Sequence, residues 1–311
     1  MRKNTIFLLL ILGLTLSGCS AFQNKKGKTP NATASKKPGK DKNAIKPYKE
    51  VITKKAKSDK GLFTVHNIED KYFYEIPDSL FNREMLMVTR IAKTATGIGF
   101  GGGKQNTQVL RWQKKNKKVL LRVVSHQIYA ADSLPIHEAV VNSNFEPVLY
   151  SFPIKAFHKD SVNNATVIEV SDLFTKDIKA LGFPAARRKQ YKISRLDANL
   201  SYIDSIRSYP LNIETRHVKT YNAGEPPSNA STGTISLEMS NSMILLPKEP
   251  MKRRYFDQRV GWFARGQVDY GLDAQESKTV RYLDRWRLEV RDEDIEKFKK
   301  GELVTPKKQI V

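Results

Sequence analysis

The stretch VLRWQKKNKKVLLRVVSHQIY, residues 109–129, decides the fold class of this chain. Two β-rich runs, Val109–Gln113 and Val119–Tyr129, flank the polar residues Lys114–Lys118. Because β-branched and aromatic side chains favour strands and a short polar segment favours a turn, this pattern predicts an antiparallel hairpin. The surrounding sheet is therefore expected to be mainly antiparallel.

Alternation with a period of two residues recurs along the chain. It predicts another hairpin from Leu62 to Ile76, with its turn at Glu69–Lys71. Further strands are predicted at 85–92, 146–154, 166–170, 211–221, 234–246 and 280–290. Two short helices are predicted, Asp172–Leu181 with Ser171 as its cap and Glu293–Lys300. The sequence therefore predicts a β-rich α+β fold with mainly antiparallel sheets, hairpins and few short helices.

The first nineteen residues have the pattern of an export signal. The positive residues Arg2 and Lys3 precede the apolar run Ile6–Leu16, which is too short to span a bilayer. The run ends in Leu16-Ser17-Gly18-Cys19, which resembles a lipobox and contains the single cysteine. Residues 1–18 are therefore predicted to be a lipoprotein signal peptide and Cys19 the lipidated residue. An ordinary secretory signal that happens to end near a cysteine is the alternative.

Residues 19–47 are predicted to be a disordered, basic tether behind the lipid. Residues 20–60 contain thirteen lysines and three acids, with few large apolar side chains, so most of this stretch cannot bury a core. The formal net charge is +22, and nearly half of it lies here. The charge is therefore attributed to a tether near anionic head groups, and no nucleic-acid partner is expected. The expected location is the cell envelope, anchored to a bacterial membrane, the outer one by preference, and facing the periplasm or the surface.

The remaining chain is divided by composition and pattern into three parts. Residues 48–96 are predicted to form a small N-terminal β-rich domain and residues 97–290 a larger β-rich domain. Residues 291–311 are predicted to be a short helix and a linker.

Glycines at 97, 99 and 102 have the G-x-G-x-x-G spacing of a dinucleotide site. Such a site needs a helix N-terminus that points its amides at the phosphates, whereas Gln105–Gln113 is predicted to be a strand. A flexible hairpin loop is expected instead, and its dense glycines leave open a role such as movement over a partner surface.

No catalytic motif is complete in this sequence. His137-Glu138 begins like H-E-x-x-H, but Val141 stands where the second histidine is required, so no zinc ligand set is predicted. Asp269, Asp273 and Glu276 lie near Trp262 and Tyr270. They fit either paired glycosidase acids or a polar surface loop.

The alternation Arg285-Trp286-Arg287 has two interpretations. The side chains could stack on sugars or bases, or they could belong to a half-buried strand from Val280 to Val290 with solvated arginines. In the second interpretation Val280, Tyr282, Trp286, Leu288 and Val290 share one face.

Several segments together resemble the front portion of bacterial zinc-dependent metalloprotease lipoproteins. The resemblance covers most of residues 48–311 and is carried by five segments: 51–63, 72–77, 106–112, 253–263 and 285–289. In that family a short N-terminal domain and a longer β-rich domain, both of unknown function, precede a metzincin-type peptidase domain. That domain carries the extended motif H-E-x-x-H-x-x-G-x-x-H.

The resemblance implies a noncatalytic accessory role, because the chain reaches Val311 where the peptidase domain would follow, as if truncated. No catalytic or metal residue is assigned, and zinc is expected only in the absent domain. The expected partners are the membrane and a peptidase domain or its protein substrate. The candidate contact residues are Gly97, Gly99, Gly101, Gly102, Gly103, Arg254, Tyr255, Phe256, Arg259 and Trp262. The alternative is a free-standing surface lipoprotein that binds a glycan or a protein.

Overall fold

A computed structural model describes residues 44–159, 164–228, 230–273 and 276–307. The predicted signal peptide, Cys19 and nearly all of the predicted tether lie outside these ranges. The described part is β-rich, with mainly antiparallel sheets and a few short helices, so the predicted fold class is confirmed. Within these ranges no helix is both long enough and apolar enough to cross a bilayer.

The secondary structure is a succession of strands with short helices between them. The strands are β1 (Lys57–Asp59), β2 (Thr64–Ile68), β3 (Lys71–Pro77), β4 (Glu84–Lys93), β5 (Lys104–Lys115), β6 (Lys118–Val124), β7 (Ile128–Tyr129), β8 (Val148–Lys159), β9 (Asn164–Glu169), β10 (Ile193–Ser208), β11 (Asn212–Ala223), β12 (Thr234–Leu245), β13 (Ala264–Asp269) and β14 (Lys278–Leu283). The helices are α1 (Tyr48–Val51), α2 (Ile136–Ser143), α3 (Ser171–Thr175), α4 (Ala185–Gln190) and α5 (Ile295–Lys299), and short 3₁₀ turns cover Asp78–Leu80, Lys179–Leu181, Ala230–Thr232 and Asp292–Asp294.

Eleven strands form one sheet in the order β1-β2-β3-β9-β8-β6-β5-β4-β12-β11-β10. Strand β3 pairs with β9, and β4 pairs with β5, so residues 48–96 and residues 97–290 contribute neighbouring strands. The two predicted β-rich regions therefore share a single sheet. The other three strands form a small sheet in the order β14-β13-β7.

The hairpin that the sequence predicts most clearly is present as β5 and β6. Gln113 pairs with Leu120, and Asn116 occupies the turn with a positive φ of 53°. The second strand ends at Val124 rather than at Tyr129. Ile128 and Tyr129 instead form β7, which pairs in parallel with β13 of the small sheet.

The main core is built around Trp112. Its ring is fully buried and lies 6.1 Å from Phe63, 6.2 Å from Tyr74 and 5.6 Å from Phe152, centroid to centroid. Offset and edge-to-face contacts of this kind are favourable because the ring edges carry positive and the ring faces negative charge. A second core cluster surrounds Tyr221 and Phe183.

The first and last strands of the large sheet approach each other near Gly61. The amide of Ser208 donates to Asp59 (3.0 Å), and its hydroxyl donates to the carbonyl of Phe63 (2.7 Å). A Cβ atom at residue 61 would lie 2.7 Å from the backbone of Ser208. Glycine is therefore required at this junction.

A buried carboxylate holds the short helix α1 on the sheet. The hydroxyl of Tyr48 donates to Glu75 (2.7 Å), and ring nitrogens of His66 (3.0 Å) and His158 (2.7 Å) bond to the same carboxylate. Burial by itself raises the pKa of Glu75, but the hydrogen bonds from these three side chains outweigh it and lower the pKa to about 2. The carboxylate therefore stays ionised, as three hydrogen-bond donors require.

The predicted strand from Val280 to Val290 is wrong in its second half. Strand β14 ends at Leu283 because the pair Leu283↔Ala264 is the last that β13 offers. Trp286 and Leu288, which were expected on a half-buried face, are 77% and 71% exposed.

The predicted helix Asp172–Leu181 is also wrong in length and in its cap. Helix α3 ends at Thr175, and the hydroxyl of Ser171 accepts a hydrogen bond from the amide of Tyr72 instead of capping. The chain leaves the helix where the buried ammonium of Lys219 binds the carbonyl of Lys176 (2.9 Å). The helix predicted at Glu293–Lys300 is present as a 3₁₀ turn and α5.

Two tryptophans provide a matched test of this core. Trp112→Ala should lower the free energy of unfolding by about 3–5 kcal/mol, because it removes a fully buried ring. Trp286→Ala should change it by no more than about 0.5 kcal/mol, because that ring is exposed. Urea unfolding followed by circular dichroism measures both, and equal losses would contradict the described packing.

Candidate functional site

The part of the chain after Leu246 buries no hydrophobic side chain among the described residues. Large apolar side chains are nevertheless frequent in it. Those that are exposed are Tyr255, Val260, Trp262, Phe263, Tyr270, Leu272, Trp286, Leu288, Ile295, Phe298 and Leu303. Contiguous apolar surface marks interaction sites on soluble proteins. Four of these side chains, Val260, Trp262, Trp286 and Leu288, line one groove, so this part of the molecule holds the candidate site.

The segment 253–263 is fixed along the outer edge of β14. The amide of Phe256 donates to the carbonyl of Arg281 (2.9 Å), and the amide of Leu283 donates to the carbonyl of Arg254 (2.9 Å). At the other end of the segment, the amide of Asp284 donates to the carbonyl of Phe263 (2.8 Å). These backbone bonds give the segment a defined position without a core of its own.

Arginine and aromatic side chains alternate across this surface. The guanidinium of Arg281 lies 4.1 Å from the ring centroid of Phe256. Arg253 lies 4.8 Å from the ring of Tyr129 and 5.1 Å from the ring of Tyr282. Cation–π contacts of this length are attractive because the ring faces carry negative charge. They order the arginines while leaving the charge uncompensated.

A groove of about 280 Å³ opens beside these stacked pairs. We call it the tryptophan groove, and its lining residues are Arg254, Val260, Trp262, Leu283, Arg285, Trp286 and Leu288. Trp262 is 48% exposed, and Trp286 is more exposed still. Trp and Arg are the residue types that contribute most to binding energy at protein interfaces.

The structure brings some of the predicted contact residues together. Arg254 and Trp262 line the tryptophan groove. Tyr255 stacks on Tyr282 beside it, and Phe256 lies under Arg281. Arg259 pairs with its neighbour Asp257 (2.6 Å) on an exposed turn.

Sequence reasoning did not assign Trp286 and Leu288 to the contact surface, because it placed them on a buried strand face. The alternation Arg285-Trp286-Arg287 was the available signal, and stacking on a ligand was one of its two interpretations.

The glycine loop lies elsewhere, between β4 and β5. The backbone of Ile91 bonds to Gly102 and Gly103 (2.7 and 3.0 Å), so the loop continues the hairpin. Gly97, Gly99 and Gly102 have positive φ, and a Cβ at Gly101 would lie 2.3 Å from the carbonyl oxygen of Ala92. Phe100 at the tip is 96% exposed.

The glycine loop and the tryptophan groove form two separate surfaces. The segment that leads to the groove leaves the sheet at the other end of β4, where the amide of Leu246 donates to the carbonyl of Glu84 (3.0 Å). The ten residues of β4 span roughly 33 Å.

The three acids near the small sheet have different surroundings. Asp269 accepts a hydrogen bond from the amide of Gly271 (2.8 Å), as in a polar turn. Asp273 and Glu276 line a cavity of about 810 Å³ next to α2, whose lining includes Gly271 but neither Asp269 nor Trp262.

His137 is bonded to the carbonyl of Ala130 (3.0 Å). Across the described ranges, no three side chains of the His, Cys, Asp and Glu types are arranged to hold a metal ion.

A second cavity, of about 460 Å³, lies between α2 and the strands β5 and β6. We call it the α2 cavity. Arg111 in its wall is paired with Glu84 (3.2 Å) and Glu146 (2.9 Å), and Arg122 lies over the ring of Phe145 (5.0 Å). An apolar wall with a few oriented polar groups is typical of small-ligand sites.

Two family models match the chain. Residues 102–291, which include β5 to β14 and the tryptophan groove, match the model described as Domain of unknown function (DUF5117). The chain belongs to the DUF5117 family. Residues 45–94 match the model described as Domain of unknown function (DUF5118).

The boundary between the two matches falls in the loop that joins β4 and β5. These strands pair along their length, so the DUF5117 region and the DUF5118 region are parts of one sheet here. No match was found among curated proteins, and none among solved structures.

Fluorescence quenching tests the tryptophan groove directly. A variant that retains Trp112 and Trp286 should be quenched strongly by iodide and more weakly by caesium, because the arginines beside Trp286 attract anions. A variant that retains only the buried Trp112 should be quenched by neither ion. Equal quenching of the two variants, or a preference of Trp286 for caesium, would contradict the described surface.

Proposed function

We propose that this chain is a lipid-anchored, noncatalytic accessory region of a zinc-dependent metalloprotease, and that its tryptophan groove docks the metzincin-type peptidase domain. The proposal assigns no catalytic residue to this chain and places zinc and its ligands on the peptidase domain. The observation that carries it is the exposed surface of tryptophan, leucine and arginine after Leu246.

The chemistry of the groove supports a protein partner. Burying the exposed parts of Trp262, Trp286 and Leu288 would contribute on the order of a few kcal/mol per side chain to the free energy of binding. Eight of the chain's eighteen arginines lie between residues 253 and 291, and Arg is enriched at protein interfaces whereas Lys is depleted. The expected partner surface is an apolar protrusion with acidic residues around it.

The arginines at the rim of the groove support the expectation of acidic residues on the partner. The guanidinium of Arg285 donates to the carbonyl of Lys252, which does not neutralise it. For Arg254, too, no carboxylate partner is found within the described part of the chain. A carboxylate of the partner placed between the two would gain bidentate, charge-assisted hydrogen bonds.

The anchor belongs to the same proposal. A diacylated Cys19 would hold the protein on a membrane of the bacterial cell envelope, because two acyl chains give stable attachment. The lysine-rich residues 20–43 would keep the folded part away from the bilayer surface, so the groove would meet envelope proteins.

Site-specific crosslinking tests the docking surface. A photo-reactive phenylalanine analogue at position 286, introduced into the chain in the cells that make it, should crosslink to peptides of a protein with the extended zinc motif. The same analogue at Leu200, an exposed apolar position on β10, is the matched control and should give no such product. Peptidase peptides crosslinked equally from both positions, or from neither, would refute the docking surface.

Metabolic labelling tests the anchor. Labelled palmitate should be incorporated into the wild-type chain and lost in Cys19→Ala, because the thiol is the attachment point. The variant should keep the wild-type circular dichroism spectrum and leave the membrane fraction. Label retained by Cys19→Ala would refute lipidation at this residue.

The α2 cavity favours, as a second candidate, the free-standing surface lipoprotein that binds a glycan or a protein, with a glycan as the ligand of this cavity. Its volume and its mixed lining suit a sugar ring stacked beside Phe145 and bonded by Arg122. Binding of a glycan that is lost in Phe145→Ala and retained in Trp286→Ala would favour this candidate over the docking proposal.

A further inference from the structure

A third cavity, of about 680 Å³, lies where the chain leaves β12 and crosses the end of β4. We call it the cationic cavity. Its charged lining residues are Arg83, Glu84, His126, Lys248, Arg253 and Arg287. Arg83 and Glu84 lie at the start of β4, and His126 follows β6. Lys248 and Arg253 precede β13 in the sequence, and Arg287 follows β14. Four permanent cations therefore face one carboxylate in a single cavity.

Two of the arginines are held by uncharged partners. Arg83 donates to the carbonyl of Leu246 (2.8 Å), and Arg253 donates to the side-chain oxygen of Gln267 (2.9 Å). These hydrogen bonds fix the direction of each guanidinium but leave its charge in place. Arg287 donates to the carbonyl of Glu249 (3.3 Å) and also pairs with Glu289, so its charge is partly compensated.

The single acid of the cavity is already engaged. Glu84 bonds to the guanidinium of Arg111 (3.2 Å) and to the imidazole of His126 (2.9 Å). The hydrogen bond that His126 donates to the carboxylate of Glu84 raises the pKa of His126, while burial and the charges of Arg111 and Arg253 act in the opposite direction. The cavity therefore keeps an excess of positive charge at neutral pH and gains more as the pH falls.

We infer that the cationic cavity binds the phosphate group of a small phosphorylated molecule. A phosphate monoester carries nearly two negative charges and offers three acceptor oxygens, which match the forked donors of arginine. The volume exceeds that of one phosphate, so there is room for a sugar or glycerol unit against Pro247 and Met251. A soluble phosphate ester and a phosphorylated lipid head group share this chemistry.

Calorimetric titration of the full chain with inorganic pyrophosphate tests the inference. Binding should be saturable, and Lys248→Gln and Arg83→Gln should each weaken it roughly tenfold, because each removes a charge-assisted hydrogen bond. Lys54→Gln, which removes the same charge outside the cavity, is the matched control and should bind as the wild type does. Urea unfolding shows whether the variants remain folded. Loss of affinity in all three variants alike would show general charge attraction and overturn the inference.

The pH dependence adds a readout that a structural role would not give. The ratio of the wild-type affinity to that of His126→Gln should fall as the pH rises through the pKa of His126, since the imidazolium is then lost from the wild type alone. Pyrophosphate ionises equally for both proteins, so its own titration does not affect the ratio, and the variant should still bind. A ratio that does not change with pH would contradict the part assigned to His126.

Vesicles distinguish the two sources of phosphate. Phosphatidylcholine vesicles with and without phosphatidic acid are compared for the wild type and for Lys248→Gln, since the basic tether alone attracts anionic surfaces. If Lys248→Gln binds vesicles more weakly than the wild type only when they contain phosphatidic acid, the cavity is assigned to a lipid head group. If pyrophosphate binds but the two proteins bind these vesicles equally, the cavity is assigned to a soluble ester. If neither effect is observed, the phosphate site is refuted.

Discussion

The packing of Trp112 against Phe63, Tyr74 and Phe152 is the contact on which the rest of the structure depends. The four rings come from strands and turns at distant places in the sequence, so they meet only when the large sheet has formed. The indole nitrogen of Trp112 has no hydrogen-bond partner among the described residues. The ring is therefore held by apolar packing alone, and it brings the DUF5118 and DUF5117 regions into one folding unit.

The small sheet differs from the large sheet because, within the part of the chain that the structure describes, it contributes no buried residue to this core packing. The three core clusters draw most of their buried residues from strands of the large sheet, and the last of these residues in the sequence is Met243. The small sheet and its flanking segments are held by backbone pairing, by cation–π stacks and by surface ion pairs such as Arg265–Asp284 (3.0 Å). Exposed ion pairs of this kind contribute at most about 1 kcal/mol. The apolar side chains of this part remain available, and its arginines contribute both to the proposed docking surface and to the proposed phosphate site.

The sequence predicts most of the large sheet because alternation and turn chemistry are local signals. Strand β10 was missed because its exposed and buried residues do not alternate regularly and its pairing with β11 contains register shifts. The carbonyl of Lys176, at the end of α3, is bonded by Lys219, which lies 43 residues further along the chain, so this contact gives no local signal for the end of the helix. The candidate site was predictable in its composition, but the position of Trp286 requires the pairing of segment 253–263 with β14. The cationic cavity was not predictable, because Arg83, Lys248 and Arg287 lie far apart in sequence. The glycine loop was predicted correctly as a hairpin loop, and its role as a contact surface stays a prediction.

The part of the chain after Leu246 lacks a core of its own among the described residues, and in our proposal a partner completes it. Hydrogen–deuterium exchange of the isolated full chain tests this view most directly. Amides of β5, β11 and β12 should exchange only with global unfolding, whereas those of β13, β14 and segment 253–263 should exchange much faster through local opening. Equal protection of the two sheets in the isolated chain would contradict it.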